Sequence, residues 1–175
     1  RAYLRALALA GQAFEAILAQ ARHLLIEDLG EDHFITLLIA ELDPATGVWR
    51  YVNAGHPTGY VLGAAGAIKA RLEAHAAAVG IDRGEERLEP RQIALEKGDA
   101  VLLLTDGILA VHSKAGSEFG EARALEYVWD ARAKPAAQII SGLLDAAARF
   151  GDGPGPREDD MTAVLVKRLA EAARD

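Results

Sequence analysis

The chain of 175 residues has no cysteine, which excludes disulfides, thiolate nucleophiles and zinc–thiolate sites together. A reducing, cytoplasmic setting is compatible with that lack. No apolar run approaches the ~20 residues needed to cross a bilayer. The N-terminus carries arginines, but acids soon follow, so the pattern of a signal peptide is missing as well. Basic residues are in deficit: 19 Lys and Arg face 26 Asp and Glu, for a net charge of −7. That balance argues against nucleic acid or an anionic membrane as a partner, because phosphate neutralisation needs a basic face. A start at Arg1 rather than Met is expected of a fragment or a processed chain. What is present is a 51 % apolar, 26 % charged composition, that of a soluble globular domain with a real core. Residues 1–169 are expected to form one domain, with 170–175 as a frayed tail.

Proline is absent from residues 1–29, where alanine and leucine dominate. From Phe14, the positions Ile17, Leu18, Ala21, Leu24, Leu25 and Leu29 recur at helical steps and predict a face that packs on a sheet. Gly11 separates a short first helix from this one, and Gly30 lies where a glycine cap belongs. Residues 33–53 predict a hairpin around Asp43-Pro44-Ala45-Thr46-Gly47, in which proline presets φ and glycine accepts positive φ. A break at Ala54-Gly55-His56-Pro57 precedes a third antiparallel strand at 59–62, a turn at 63–66 and a weak strand at 68–72. Residues 73–90 read as a loop around Val79-Gly80-Ile81. A strand at 91–95 turns through Lys97-Gly98-Asp99 into the strand 100–105, apolar enough to be buried on both faces. A helix starts near Ile108, two more span 121–131 and 135–150, and a mobile loop at 151–156 leads to the final strand, which ends near Leu169. No internal repeat is visible. Strands first and helices later predict an α+β layered domain rather than βαβ winding.

Asp106 stands where the apolar run Val101–Leu104 ends, a position held by rigid backbone yet open to solvent. Asp159-Asp160-Met161-Thr162 opens the last strand. These acids meet only if the two strands are neighbours. Carboxylates within ~4 Å repel by roughly 4 kcal/mol at an effective dielectric of ~20, so a close pair needs a cation between them or a shared proton. Oxygen donors with few histidines suit Mg2+ or Mn2+ rather than zinc. A metal pair of this kind makes hydroxide for in-line attack on phosphorus. The plainer alternative is that Asp106 caps a turn while Asp159 or Asp160 solvates a loop. His23, His33, His75 and His112 have no metal-like spacing.

Asn53-Ala54-Gly55-His56-Pro57, Thr105-Asp106-Gly107 and Asp159-Asp160-Met161-Thr162, in this order, resemble the bacterial serine/threonine phosphatases of the stage II sporulation protein E type. These are a branch of the metal-dependent type 2C (PPM) phosphatases. Phe34-Ile35-Thr36 and Val79-Gly80-Ile81 resemble two further stretches of the family, so the likeness spans about residues 10–168. The resemblance implies an α-β-β-α sandwich of mostly antiparallel sheets, with Asp106 and Asp159 as ligands of a centre holding two Mg2+ or Mn2+ ions. Asp160 is second choice to Asp159. Asn53, Gly55 and Gly107 would lie in loops near the site. His56 would position a water or phosphate or protonate the leaving group, or else serve only the turn, which is the reading preferred for it and for Asn53. Thr162 would satisfy backbone groups at the strand start. The substrate implied is a phosphorylated bacterial regulator of the anti-sigma-factor antagonist type. A Gly-Asp hairpin and an Asp-x-x-Gly-His-Gly segment, which supply further ligands in the family, have no counterpart here. The resemblance therefore implies a phosphatase domain without its N-terminal strands, in which these residues alone do not complete a two-metal site, and a sheet edge open to pairing between chains. The alternative is a non-catalytic, phosphatase-like regulatory module.

Overall fold

The computed structural model describes residues 2–30, 33–81, 88–151 and 160–169. Among the described residues, five helices and seven strands give an α+β fold in which every pairing between these strands is antiparallel. The chain divides into two compact units, residues 1–56 with 73–95, and residues 57–72 with 96–175.

In the first unit, helix α1 (Ala2–Leu9) buries no residue, and Gly11 at φ +68° separates it from α2 (Phe14–Leu29). The predicted face of α2 is the buried one: Phe14, Ile17, Leu18 and Ala21 are covered, each worth roughly 1–3 kcal/mol of transfer free energy. Phe14 and Leu18 join Val52, Ala54 and Val79 in one cluster, with Leu25, Leu29, Leu37 and Ile39 against it. Arg50 ties helix to sheet by pairing with Glu15 and Glu41 while its guanidinium lies over the Phe14 ring.

The sheet of this unit has the order β1 (Leu37–Leu42), β2 (Val48–Ala54), β5 (Arg91–Ala94). Strands β1 and β2 form the expected hairpin, in register from Leu42 opposite Trp49 to Leu37 opposite Ala54. Asp43 makes its turn: one carboxylate oxygen accepts from the Ala45 N–H at 2.9 Å and the other from the Thr46 hydroxyl at 2.7 Å. The strand starts later than residue 33, because before Leu37 only Ile35 is paired, in a bridge to Val79, and Phe34 is exposed. That bridge, with a second between Ala54 and Ala76, gives the supposed loop around Val79 a fixed path. Gly80 is required there. Its φ is +104°, and a Cβ would lie 2.5 Å from the His33 carbonyl oxygen.

The second unit has a sheet of order β4 (Ile68–Leu72), β3 (Gly59–Leu62), β6 (Ala100–Leu104), β7 (Ala163–Lys167). The strand at 59–62 thus leaves the hairpin and pairs with β6, Tyr60 opposite Leu102. Strand β5 likewise does not form a hairpin with β6; the Leu95 N–H still follows β2, donating to the Gly47 carbonyl at 2.9 Å. Helices α3 (Asp106–Leu109), α4 (Gly120–Asp130) and α5 (Ala136–Phe150) supply Ile108, Ala124, Val128, Ile139, Leu143 and Ala147 to a core shared with Tyr60, Leu62, Leu102 and Leu104. The i, i+4 spacing of the α4 and α5 residues puts each set on one helical face. Pro135 precedes α5, as the sequence predicts. Both sheets are open: β1 and β5 are edges of one, β4 and β7 of the other.

Candidate metal centre

Strand β6 is anchored at one end by a buried acid and presents a second acid at the other. Asp99 is 2 % exposed. Its Oδ2 accepts from Lys69 Nζ at 2.8 Å and from the Glu96 N–H at 2.7 Å. Burial by itself pushes this carboxyl up, but the Lys69 ammonium and the Glu96 N–H outweigh it and hold the group below the usual carboxylate range. Sequence reading passed over Asp99, because Lys97-Gly98-Asp99 resembles a solvated turn. The signal available was its place immediately before the most apolar strand.

At the other end, Leu104 pairs with Ala163, and the chain leaves β6 through Thr105 into α3. The Thr105 N–H donates to the Thr162 carbonyl at 3.0 Å. The Thr105 hydroxyl accepts from the Thr162 N–H at 2.9 Å and donates toward the Asp160 carbonyl at 3.2 Å. It is therefore Thr105 whose side chain serves the backbone groups at the start of the last strand, a task the sequence reading gave to Thr162. This clasp fixes Asp106 and Asp160 on adjoining segments.

Asp106 is exposed and is the first residue of α3; its backbone carbonyl accepts from the Ala110 N–H at 2.8 Å. Among the described residues none hydrogen-bonds or ion-pairs with its carboxylate, so it is not the side-chain cap of a turn. Gly107 does not use positive φ; it lies inside the α3 turn rather than at a reversal. Asp160 is exposed at the start of the segment leading to β7. Asp159 and the loop 151–156, apart from Gly151, lie outside the described residues.

Asn53, Gly55 and His56 form a turn in the first unit. Asn53 is fully buried, and its Oδ1 accepts from the His56 N–H at 2.9 Å. Its carbonyl accepts from the N–H groups of His75 and Ala76 at 2.9 and 3.2 Å. Asn53 therefore has the turn-shaping role expected of it. Gly55 has φ +70°, and a Cβ there would lie 2.9 Å from that of Ala78.

The donors at the β6–β7 end are carboxylate oxygens, which in kind fit a hard divalent cation. In number the described part of the site is short, since no group of three or more His, Asp or Glu that could hold a metal ion occurs among the described residues.

The fold of two open antiparallel sheets, each with its own helices, is that of the type 2C (PPM) phosphatase domains. By alignment it covers 97 % of this chain and 46 % of the chain holding the RsbU and RsbW domains of Rv1364c from Mycobacterium tuberculosis, with a TM-score of 0.76 and 24 % identity. A second solved structure, the phosphatase domain with a fragment of the regulatory domain of SpoIIE from Bacillus subtilis, matches with a TM-score of 0.74 and 18 % identity over 95 % of this chain and 47 % of that one. Protein IcfG of a Synechocystis strain is 27 % identical over 142 residues, 77 % of this chain and 21 % of its own length. The model of the stage II sporulation protein E (SpoIIE) family matches residues 1–169, and the chain belongs to that family. It spans less than half the length of these three relatives.

Proposed function

We propose that this chain carries part of the centre of a metal-dependent protein serine/threonine phosphatase acting on phosphoserine or phosphothreonine of a bacterial, cytoplasmic signalling protein. Family membership supports the phosphatase class. The observation that carries the assignment of residues is the Thr105 clasp, which holds the end of β6 against the segment from Asp160 to Thr162. Asp106 and Asp159, with Asp160 as second choice, would hold Mg2+ or Mn2+. When bound, such an ion supplies a water of lowered pKa and a positive charge for phosphoryl oxygens. The clasp holds the end of β6 to the segment from Asp160 to Thr162, which lowers the ordering cost of binding. His56, whose N–H donates to Asn53 Oδ1 at 2.9 Å, keeps the preferred reading of a turn residue. The mycobacterial relative, which joins RsbU and RsbW domains in one chain, supports a regulatory protein of the anti-sigma-factor antagonist type as substrate.

The test is Mn2+-dependent release of phosphate from a phosphoserine protein by the full-length gene product. Asp106→Ala or Asp159→Ala is expected to lower kcat/KM by about a hundred-fold or more, ~2.7 kcal/mol of barrier. Undiminished turnover in either variant overturns the assignment of that acid. A second reading, a non-catalytic interaction module, is favoured by the small number of clustered ligands among the described residues. Calorimetry with Mn2+ separates the two: heat of binding supports the phosphatase, and its absence supports the module. The open edges further support pairing between copies; scattering at high concentration should then report a dimer's mass, and a monomer's mass throughout would contradict it.

A further inference from the structure

A cavity of about 330 Å³ opens in the second unit at the end of β6 opposite Asp106. Six residue-to-residue steps along the chain separate Ala100, which lines it, from Asp106, roughly 20 Å in an extended strand. The cavity is therefore separate from the candidate metal centre. Its floor is apolar: Leu62, Ala100, Val128, Ile139 and Leu165. One wall is the indole of Trp129, which lies so close to Gly66 that any side chain there would overlap the ring.

The rim is cationic. The Arg132 guanidinium stacks on Trp129 at 4.0 Å from the ring centre and donates to the Trp129 carbonyl at 3.1 Å. Lys167 Nζ donates to the carbonyls of Arg132 at 2.7 Å and Lys134 at 2.9 Å. Carbonyls orient these two cations without cancelling their charge, and neither makes an ion pair with a described carboxylate. A hollow of this size with an apolar floor, an aromatic wall and oriented polar groups at its mouth has the anatomy of a small-molecule site.

We propose that this cavity binds a small amphipathic anion: an apolar or aromatic body seated on Leu62, Val128 and Leu165 beside Trp129, with a carboxylate, sulfonate or phosphate at Arg132 and Lys167. The two chemistries are separable. The chain has two tryptophans, and Trp49→Phe leaves Trp129 as the sole indole. This protein would be titrated with anilinonaphthalene sulfonate, an aromatic anion, and with neutral N-phenylnaphthylamine, following Trp129 emission. Both probes should quench Trp129 saturably at one site. Arg132→Glu should weaken the anionic probe by about ten-fold or more while leaving the neutral one within about two-fold. Ala133→Phe, at the exposed mouth, should weaken both. If Trp129 does not respond, if probe binds without saturation, or if Arg132→Glu weakens both probes equally, the proposal fails. Circular dichroism of each variant guards against misfolding, and Arg132→Glu, at an exposed position, keeps the test decisive should Ala133→Phe not fold.

Discussion

The two ends of β6 carry acids in opposite circumstances. Asp99 is buried, ion-paired with Lys69 and hydrogen-bonded to the Glu96 N–H, and its charge is consumed in holding the turn to the strand. Asp106 is exposed and has no described partner for its carboxylate, although the backbone around it is held by Thr105 and α3. Removing an acid that is bound into the fold should cost stability, whereas removing one that is merely presented by the fold should cost function. The proposed role of Asp106 as a metal ligand requires this difference, a carboxylate the fold itself does not use.

That contrast can be broken in several ways. The largest expected effect is on catalysis, where loss of Asp106 or Asp159 should reduce turnover while urea denaturation of Asp106→Ala stays within about 0.5 kcal/mol of the parent. An Asp106→Ala variant that is severely destabilised would place Asp106 in the same class as Asp99. Next comes Asp99→Ala, which leaves the Glu96 N–H without its acceptor and Lys69 with only Glu96 as an ion-pair partner among the described residues. It should cost about 1–3 kcal/mol in denaturant, and a neutral result would contradict the anchoring role. Thr105→Val keeps the shape of the clasp but removes its hydroxyl; a loss of about 1 kcal/mol is expected, together with weaker Mn2+ binding, both read on the same sample.

The pH dependence sharpens the same comparison. Asp99 and Glu121 are both held below their ordinary values, Glu121 by hydrogen bonds from Tyr60 and Arg71 that outweigh its burial. Their contribution is therefore present above the unfolded carboxylate pKa and is lost as pH falls through the lower folded values. Tyr60, pushed up to about 12 by burial and by Glu121, stays neutral throughout. Acid unfolding of Asp99→Asn should be shallower than that of the parent; an identical slope would remove Asp99 from the account. The smallest effect is expected in the other unit. Trp49 is buried with its indole N–H unpartnered among the described residues, so Trp49→Phe, which deletes that donor, should change stability by less than about 1 kcal/mol.

Much of this architecture is legible in the sequence where local chemistry dictates it. The α2 face follows from helical spacing, the 43–47 turn from Asp43, Pro44 and Gly47, and the start of α5 from Pro135. Sheet membership is not local. Gly59–Leu62 is a strand by any pattern, but nothing in its residues says that it pairs with β6 instead of extending the 33–53 hairpin. The path of 73–81 was hidden for a similar reason, since it is fixed by single bridges to Ile35 and Ala54 rather than by a run of β-formers. At the site, the sequence required the strands next to Asp106 and Asp159 to be neighbours, and β6 and β7 do pair, from Ala100 opposite Lys167 to Leu104 opposite Ala163, while Asp159 itself lies outside the described residues. The Thr105 hydroxyl was not legible, because its partners are backbone groups more than fifty positions away.

The central claim is that Asp106 and Asp159 act on one metal ion. Electron paramagnetic resonance of Mn2+ binding tests it most directly, comparing the full-length protein with Asp106→Ala, Asp159→Ala and the double variant. Shared ligation predicts that each single substitution abolishes most of the bound signal and that the second adds little to the first. Losses that are small, or that simply add as for independent sites, would contradict it.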